Sequence, residues 1–269
     1  MVCIYDFLNY NSGERLEDYK NFSLIDGIYT KPYIFASRFV KNNVVLDCGC
    51  GVGYGSYFLS HKAKKVVGID ISSRAIEKAK NTYKRKNLNF YVMDVCNLNF
   101  EKNTFDIVVA FQLIEHLRDP LRFIEEIKRV LKPGGVFILA TPNKRVTSLG
   151  DSSLGDSRPI CPFHEKEFDA LELRNLFLHN GFRELEIFGQ KTVNKKYRKE
   201  EEKYRKTVRI RIIRILSQIE IVRKISRIIP LKIKNFFTRP PNIHFRPSDL
   251  KISKRFINDA YILIVKAKK

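Results

Sequence analysis

The chain has 269 residues, 44% hydrophobic and 29% charged, the balance of a soluble globular protein with enough length to bury a large core. That balance excludes a disordered chain, a collagen-like repeat and a disulfide-stapled mini-protein, and no apolar run approaches the roughly 18 residues of a membrane-spanning helix. Fifty Lys and Arg against 29 Asp and Glu give a net charge of +21, of which +16 lies between Lys191 and Asn258, so that segment is expected to be drawn to something anionic.

The first residues lack a basic stretch followed by an apolar one, so no secretory signal is expected. Five scattered cysteines (Cys3, Cys48, Cys50, Cys96, Cys161) form no CxxC pair. Neither a disulfide framework nor a zinc site is indicated, and a reducing cytoplasm is the expected compartment.

Along the chain, residues 1–43 are aromatic and mixed, with a helix predicted over Tyr33–Val40. Strands are then predicted at Val44–Cys48, Val66–Asp70, Leu88–Val92, Asp106–Phe111 and Val136–Ala140. Such continuous, often β-branched runs suit strands buried on both faces of a parallel sheet. Helices fall between them. Ser72 caps one that carries Ala75, Ile76 and Ala79. Asp119-Pro120 opens another, whose apolar face is Phe123, Ile124, Ile127, Val130 and Leu131 and which Lys132-Pro133-Gly134-Gly135 stops. Val146–Cys161 reads as a long loop, of a length that is usually functional or disordered. A helix over Lys166–Asn180 and a strand at Glu184–Gly189 follow. In the basic block, Lys206–Ile229 carries an apolar stripe and Pro230 ends it. Tyr261–Lys266 reads as a seventh and last strand. The alternation predicts an α/β fold with a doubly wound, mostly parallel seven-stranded sheet, and the basic block is an insertion if the last strand returns to that sheet.

The informative stretch is Asp47-Cys48-Gly49-Cys50-Gly51-Val52-Gly53-Tyr54-Gly55, which joins the first strand to a helix. It does not fit the dinucleotide fingerprint GxGxxG in any register. It reads Asp-x-Gly-x-Gly-x-Gly, and an acid at its head suits a cationic, amino-acid-bearing ligand better than a pyrophosphate. Cys48 and Cys50 read as small fillers beside the glycines, and Gly55 as a residue that permits close helix packing.

From Val44 to Gly189, and again at the last strand, the chain resembles the class I S-adenosylmethionine (SAM) methyltransferases, with a Rossmann-like sheet. The glycine loop matches the first motif of that family. Asp70, followed by Ile71, stands where the family's acid holds the ribose hydroxyls. Asp94-Val95 stands where adenine is received, and Phe111-Gln112 ends the strand that borders the cofactor. Leu131–Gly135 matches the turn before strand five. The resemblance therefore implies SAM as cofactor and Asp47, Gly49, Cys50, Gly51, Gly53, Asp70, Ile71, Asp94, Val95, Phe111 and Gln112 as its contacts. Gly53–Tyr57, Leu113-Ile114-Glu115-His116-Leu117 with Asp119-Pro120, and Pro162–Phe168 narrow the likeness to small-molecule methyltransferases of bacteria and archaea, including those of surface-glycan and quinone biosynthesis. The chain divides accordingly into an N-terminal helical cap (1–43) expected over the substrate cleft, a SAM-binding core (44–190), a basic helical insertion (191–258) and a final core strand (259–269).

An alcohol or phenol acceptor must lose a proton, and histidine is the natural base. His164 and His116 lie where an acceptor is expected, beyond the carboxyl ends of the strands, with Glu115 beside His116. These three are the catalytic candidates, His164 first. His61 and His179 read as helix-end surface residues. No metal-type cluster stands out in the spacing, so no metal is expected. The reading is a SAM-dependent methyltransferase acting on a small-molecule or glycan acceptor, at oxygen, with anionic acceptors favoured by the basic block. Its rivals are an RNA methyltransferase, a membrane-associated quinone or lipid methyltransferase touching the surface through 206–237, and a non-catalytic SAM-binding subunit. Nucleic acid is the less favoured partner. Packing or homo-oligomer contact is the plainer role of the basic helix, and the expected location is the cytoplasm, at most peripheral to the membrane.

Overall fold

The computed structural model describes residues 27–149, 158–159, 164–193 and 247–269. Strands β1 (Val44–Cys48), β2 (Lys65–Asp70), β3 (Leu88–Val92), β4 (Phe105–Phe111), β5 (Leu131–Pro142), β8 (Arg183–Thr192), β9 (Leu250–Ser253) and β10 (Ile262–Lys268) form one sheet in the order β3-β2-β1-β4-β5-β10-β8-β9. The first five pair in parallel, β10 runs antiparallel between β5 and β8, and β9 runs antiparallel to β8 at the edge. The sheet is therefore mixed and eight-stranded, not seven-stranded as expected. The added strand is β9, which lies inside the basic block. Because β10 returns to the same sheet, residues 194–246 intervene between two of its strands. They lie outside the described residues, and with them the predicted helix at 206–229 and the segment 206–237. A second, two-stranded ladder pairs β6 (Ser148–Leu149) with β7 (Arg158–Pro159) across the base of the predicted long loop.

Alternate residues of each strand serve opposite faces, as a pleated backbone demands. Val45, Val66, Ile107, Ile138 and Ile264 pack on one side against helices α1 (Gly27–Ala36), α2 (Tyr54–Ser60) and α3 (Ser73–Thr82). Leu46, Val67, Val108, Phe137 and Val265 pack on the other, against α4 (Pro120–Val130) and α6 (Ala170–His179). One short helix, α5 (Lys144–Thr147), follows β5. Helix α4 buries Phe123, Ile124, Ile127 and Val130 completely, and each such side chain contributes roughly 1.5–3 kcal/mol.

The caps read from sequence are present. The Ser72 and Asp119 side chains accept hydrogen bonds from the amides of Ala75 and Arg122. Helix α6 starts four residues later than predicted because Asp169 and Glu172 form a reciprocal capping box that fixes its start at Ala170. Helix α1 spans Pro32 and ends before Val40, displaced from the predicted Tyr33–Val40. Asn143, after β5, donates to the carbonyls of Ile257 and Ala260 and so ties this end of the sheet to the approach of β10.

Candidate active site

The turn after β1 is built by three left-handed glycines, with φ of +69° at Gly49, +55° at Gly51 and +87° at Gly53. A Cβ on Gly53 would lie 2.6 Å from the Phe90 ring, and one on Gly55 would lie 2.0 Å from the Tyr33 ring, so these two glycines serve packing. Around Gly51 nothing lies within 4 Å of that position: the loop is open there. Cys50 is buried against this turn, and burial pushes its thiol well above the ordinary range, so it is a filler and not a reactive group.

Asp47 lies beneath the loop rather than in its opening. It has 0% exposure; the Tyr33 hydroxyl donates to both carboxylate oxygens at 3.2 Å and the Ser56 hydroxyl to Oδ2 at 2.6 Å. Tyr33 also sets its ring edge-on to Phe111 at 4.7 Å, so α1 is locked to the ends of β1 and β4. Burial lifts the Asp47 carboxyl to about 7, against the pull of the two hydroxyl donors and with a small push from Asp70. The folded protein therefore holds a proton here more tightly than the unfolded chain. This group's stabilisation is full below its ordinary range near 3.8 and is lost as the pH rises through about 7. Between about pH 5 and pH 7.5 the urea midpoint of the wild type should fall further than that of Asp47→Asn; parallel profiles would contradict the assignment.

Asp70 ends β2 and grips the loop. Its Oδ2 accepts from the Gly51 amide and its Oδ1 from the Ser72 amide, each at 2.9 Å. A carboxylate oxygen has two acceptor sites, so both oxygens keep capacity for a ligand. Ile71 follows with 74% of its surface exposed, an apolar side chain just beyond the carboxyl end of β2. Asp94 is exposed and accepts from the Cys96 amide, whereas the Val95 side chain is in the core and leaves only its backbone for a ligand. Gln112 stands out. Its φ is +54°, and neither atom of its shielded side-chain amide has a hydrogen-bond partner among the described residues. Strain and an unsatisfied polar group at one residue mark a place where a ligand completes the structure.

A second group assembles beyond β4 and β5. The 3-10 turn Ile114–His116 follows Leu113, whose side chain covers Gly49. The Glu115 carbonyl accepts from the Glu165 amide at 2.8 Å, which brings the 164–168 segment against this turn. Glu115 Oε2 accepts from the Thr141 hydroxyl at the end of β5. His164, 1% exposed, places Nδ1 2.7 Å from Glu167 Oε1, and Glu167 Oε2 accepts from the Thr147 and Ser148 hydroxyls. The His116 and His164 rings meet edge to face at 4.8 Å. The structure thus unites all three catalytic candidates. It leaves His61 and His179 at helix ends, where each ring bonds a carbonyl of its own helix.

A family model described as a methyltransferase domain matches residues 46–139. The chain is 37% identical over 145 residues to a probable S-adenosylmethionine-dependent methyltransferase of Mycolicibacterium smegmatis, covering 54% of this chain and 54% of the relative. It is 35% identical over 127 residues to a ubiquinone biosynthesis O-methyltransferase of Coxiella burnetii, covering 46% of this chain and 54% of that protein. Residues 46–139 thus match a methyltransferase domain, and the chain is similar to S-adenosylmethionine-dependent methyltransferases over about half its length. It spans about half the length of the curated relatives it matches. An S-adenosylmethionine-dependent methyltransferase structure from Mesorhizobium loti superposes with a TM-score of 0.57 at 14% identity, over 88% of this chain and 98% of the other, which shows the common fold.

The cofactor of this methyltransferase family is SAM, and the residues fit it. The open position at Gly51, the Asp70 carboxylate, the exposed Ile71 and the unsatisfied Gln112 amide all stand at the carboxyl ends of β1, β2 and β4. Sequence reasoning missed Tyr33, Ser56, Thr141 and Glu167. Only Glu167 had a local signal: it is three residues from His164 in a run already singled out. Tyr33, Ser56 and Thr141 find their partners through the tertiary fold. No helix among the described residues is long and apolar enough to cross a membrane.

Proposed function

We propose that this methyltransferase transfers the methyl group of SAM to an oxygen of a small-molecule or glycan acceptor. The observation that carries this reading is the group of buried Glu115 and His164 with half-buried His116, gathered beyond the ends of β4 and β5. A hydroxyl acceptor has to lose its proton near the transition state, whereas an amine that binds neutral needs no such group before it attacks.

SAM supplies a methyl group already activated on a sulfonium. The chain's own tasks are to hold the acceptor in line, keep water out and promote loss of the acceptor's proton. Orientation alone supplies on the order of 7–11 kcal/mol in favourable cases. Gly51, Asp70 and Gln112 hold the cofactor. Asp47, bonded to Tyr33 and Ser56, fixes the turn that carries Gly51. His164, backed by Glu167, handles the acceptor's proton together with Glu115 and His116. The strongly basic segment 191–258 favours an acceptor with negative charge, such as a nucleotide- or lipid-linked sugar.

His164→Ala should lower turnover by about 100-fold or more, the usual range for a proton-transfer group, while SAM affinity measured by calorimetry stays at the wild-type value. Full activity would remove His164 from the chemistry. Transfer of labelled methyl should be found in sugar-lipid or quinone acceptor pools and be absent with RNA. Transfer to RNA that weakens steeply with salt would favour the nucleic-acid alternative.

A further inference from the structure

We propose that Glu115, His116 and His164 form a mononuclear site for a divalent first-row transition ion of the zinc type, with an open coordination position. The inference rests on the methyl-transfer reading for its role, though its geometry is independent of that reading. Each residue offers one ligand atom, and the three atoms lie within 4.8 Å of one another. Donors held at roughly 2.0–2.2 Å from one ion stand about 3–4.4 Å apart, so side-chain adjustments of a few tenths of an ångström close the site.

The donor set is selective. Two imidazoles and a carboxylate suit zinc and its first-row neighbours, whereas magnesium and calcium prefer oxygen alone. Three protein ligands leave the fourth position for a substrate or water. Glu115 and His164 are buried and His116 is half-buried, which leaves one side of the trio accessible.

The surroundings are those of a metal ligand shell. His164 Nδ1 is taken by Glu167, and both side chains are fully buried. That bond fixes the tautomer and leaves Nε2 as the ligand atom, the arrangement in which a carboxylate orients a metal-bound histidine. Glu167 is itself held by the hydroxyls of Thr147 and Ser148 at 2.6 Å. Glu115 is held through Oε2 by Thr141, which leaves Oε1 to the trio. Glu115 and Glu167 together bring two buried carboxylates to this spot, and a dication offsets them.

An ion at this position would bind the acceptor oxygen and lower its pKa. The O–H bond then breaks with the proton passing to solvent, and the electron pair stays on oxygen for bonding to the methyl carbon. His164 and Glu167 act in this case as ligand and orienting group.

The test uses the full chain, stripped with EDTA and titrated calorimetrically with zinc chloride and separately with manganese chloride, with metal content read by mass spectrometry. The expected result is one ion per wild-type chain and its loss in His164→Ala and His116→Asn. Glu167→Gln should bind the ion 10–100-fold more weakly. S-adenosylhomocysteine affinity should be unchanged in all three variants. His116 is half-buried, so its variant tests the site even where a change at His164 impairs folding. Failure of the wild type to bind either ion, or equal binding by the histidine variants, overturns the metal site. Failure of the wild type to bind S-adenosylhomocysteine overturns the methyltransferase reading instead.

Discussion

Gly51→Val should abolish SAM binding while leaving the fold intact. Two separate effects act in the same direction. The backbone at Gly51 has φ of +55°, where a β-branched residue is a strong outlier. Holding it there costs about 1–3 kcal/mol, and relaxing it pulls the amide away from Asp70 Oδ2. The space that the new side chain enters is also free of protein atoms within 4 Å of the Cβ position. The valine's Cβ therefore meets no neighbour, and its side chain extends into the opening where the proposed cofactor would lie. Calorimetry with S-adenosylhomocysteine reads the loss, and a thermal melt confirms folding. Wild-type affinity in a folded Gly51→Val protein would show that the ligand does not approach this loop.

Asp70→Ala should weaken SAM binding by roughly 10- to 150-fold, the equivalent of about 1.5–3 kcal/mol for hydrogen bonds to a charged group. The carboxylate accepts from the Gly51 and Ser72 amides and also offers acceptor sites to ribose hydroxyls. Alanine removes all of these together. Asp70→Asn keeps one carbonyl acceptor, so it should lie between wild type and alanine. An affinity for Asp70→Ala equal to the wild type would contradict the ribose role, and equal losses in both variants would assign the effect to charge alone.

Much of the fold is legible in the sequence because a parallel sheet covered on both faces needs uninterrupted apolar strands. Val44–Cys48 and Leu88–Val92 match their predicted limits, and five other predicted strands are found with longer or shifted ends. Strand β9 was hidden because Leu250–Ser253 is four residues long and sits among lysines and arginines. Helix α1 lies earlier than the predicted Tyr33–Val40, and the chain carries it through Pro32.

The site was legible to the extent that it is made of backbone. Three glycines and an acid at the next strand's tip announce a ligand loop, because only glycine adopts those angles freely. Its side-chain partners were less visible. Asp47 looked like a group facing the ligand, but the Tyr33 hydroxyl, contributed by a preceding helix, covers it. The metal-type trio was equally hidden. His116 and His164 are far apart in sequence, and they meet through tertiary contacts such as the Glu165 amide donating to the Glu115 carbonyl.

The most direct test of the central claim is a crystal structure of the chain grown with S-adenosylhomocysteine. The account predicts the ligand in the crevice at the ends of β1, β2 and β4, with its ribose hydroxyls on Asp70, its chain over Gly51 and a hydrogen bond to the Gln112 amide. A ligand bound elsewhere, or a crevice that stays closed to S-adenosylhomocysteine while accepting a nicotinamide or flavin nucleotide, would contradict it.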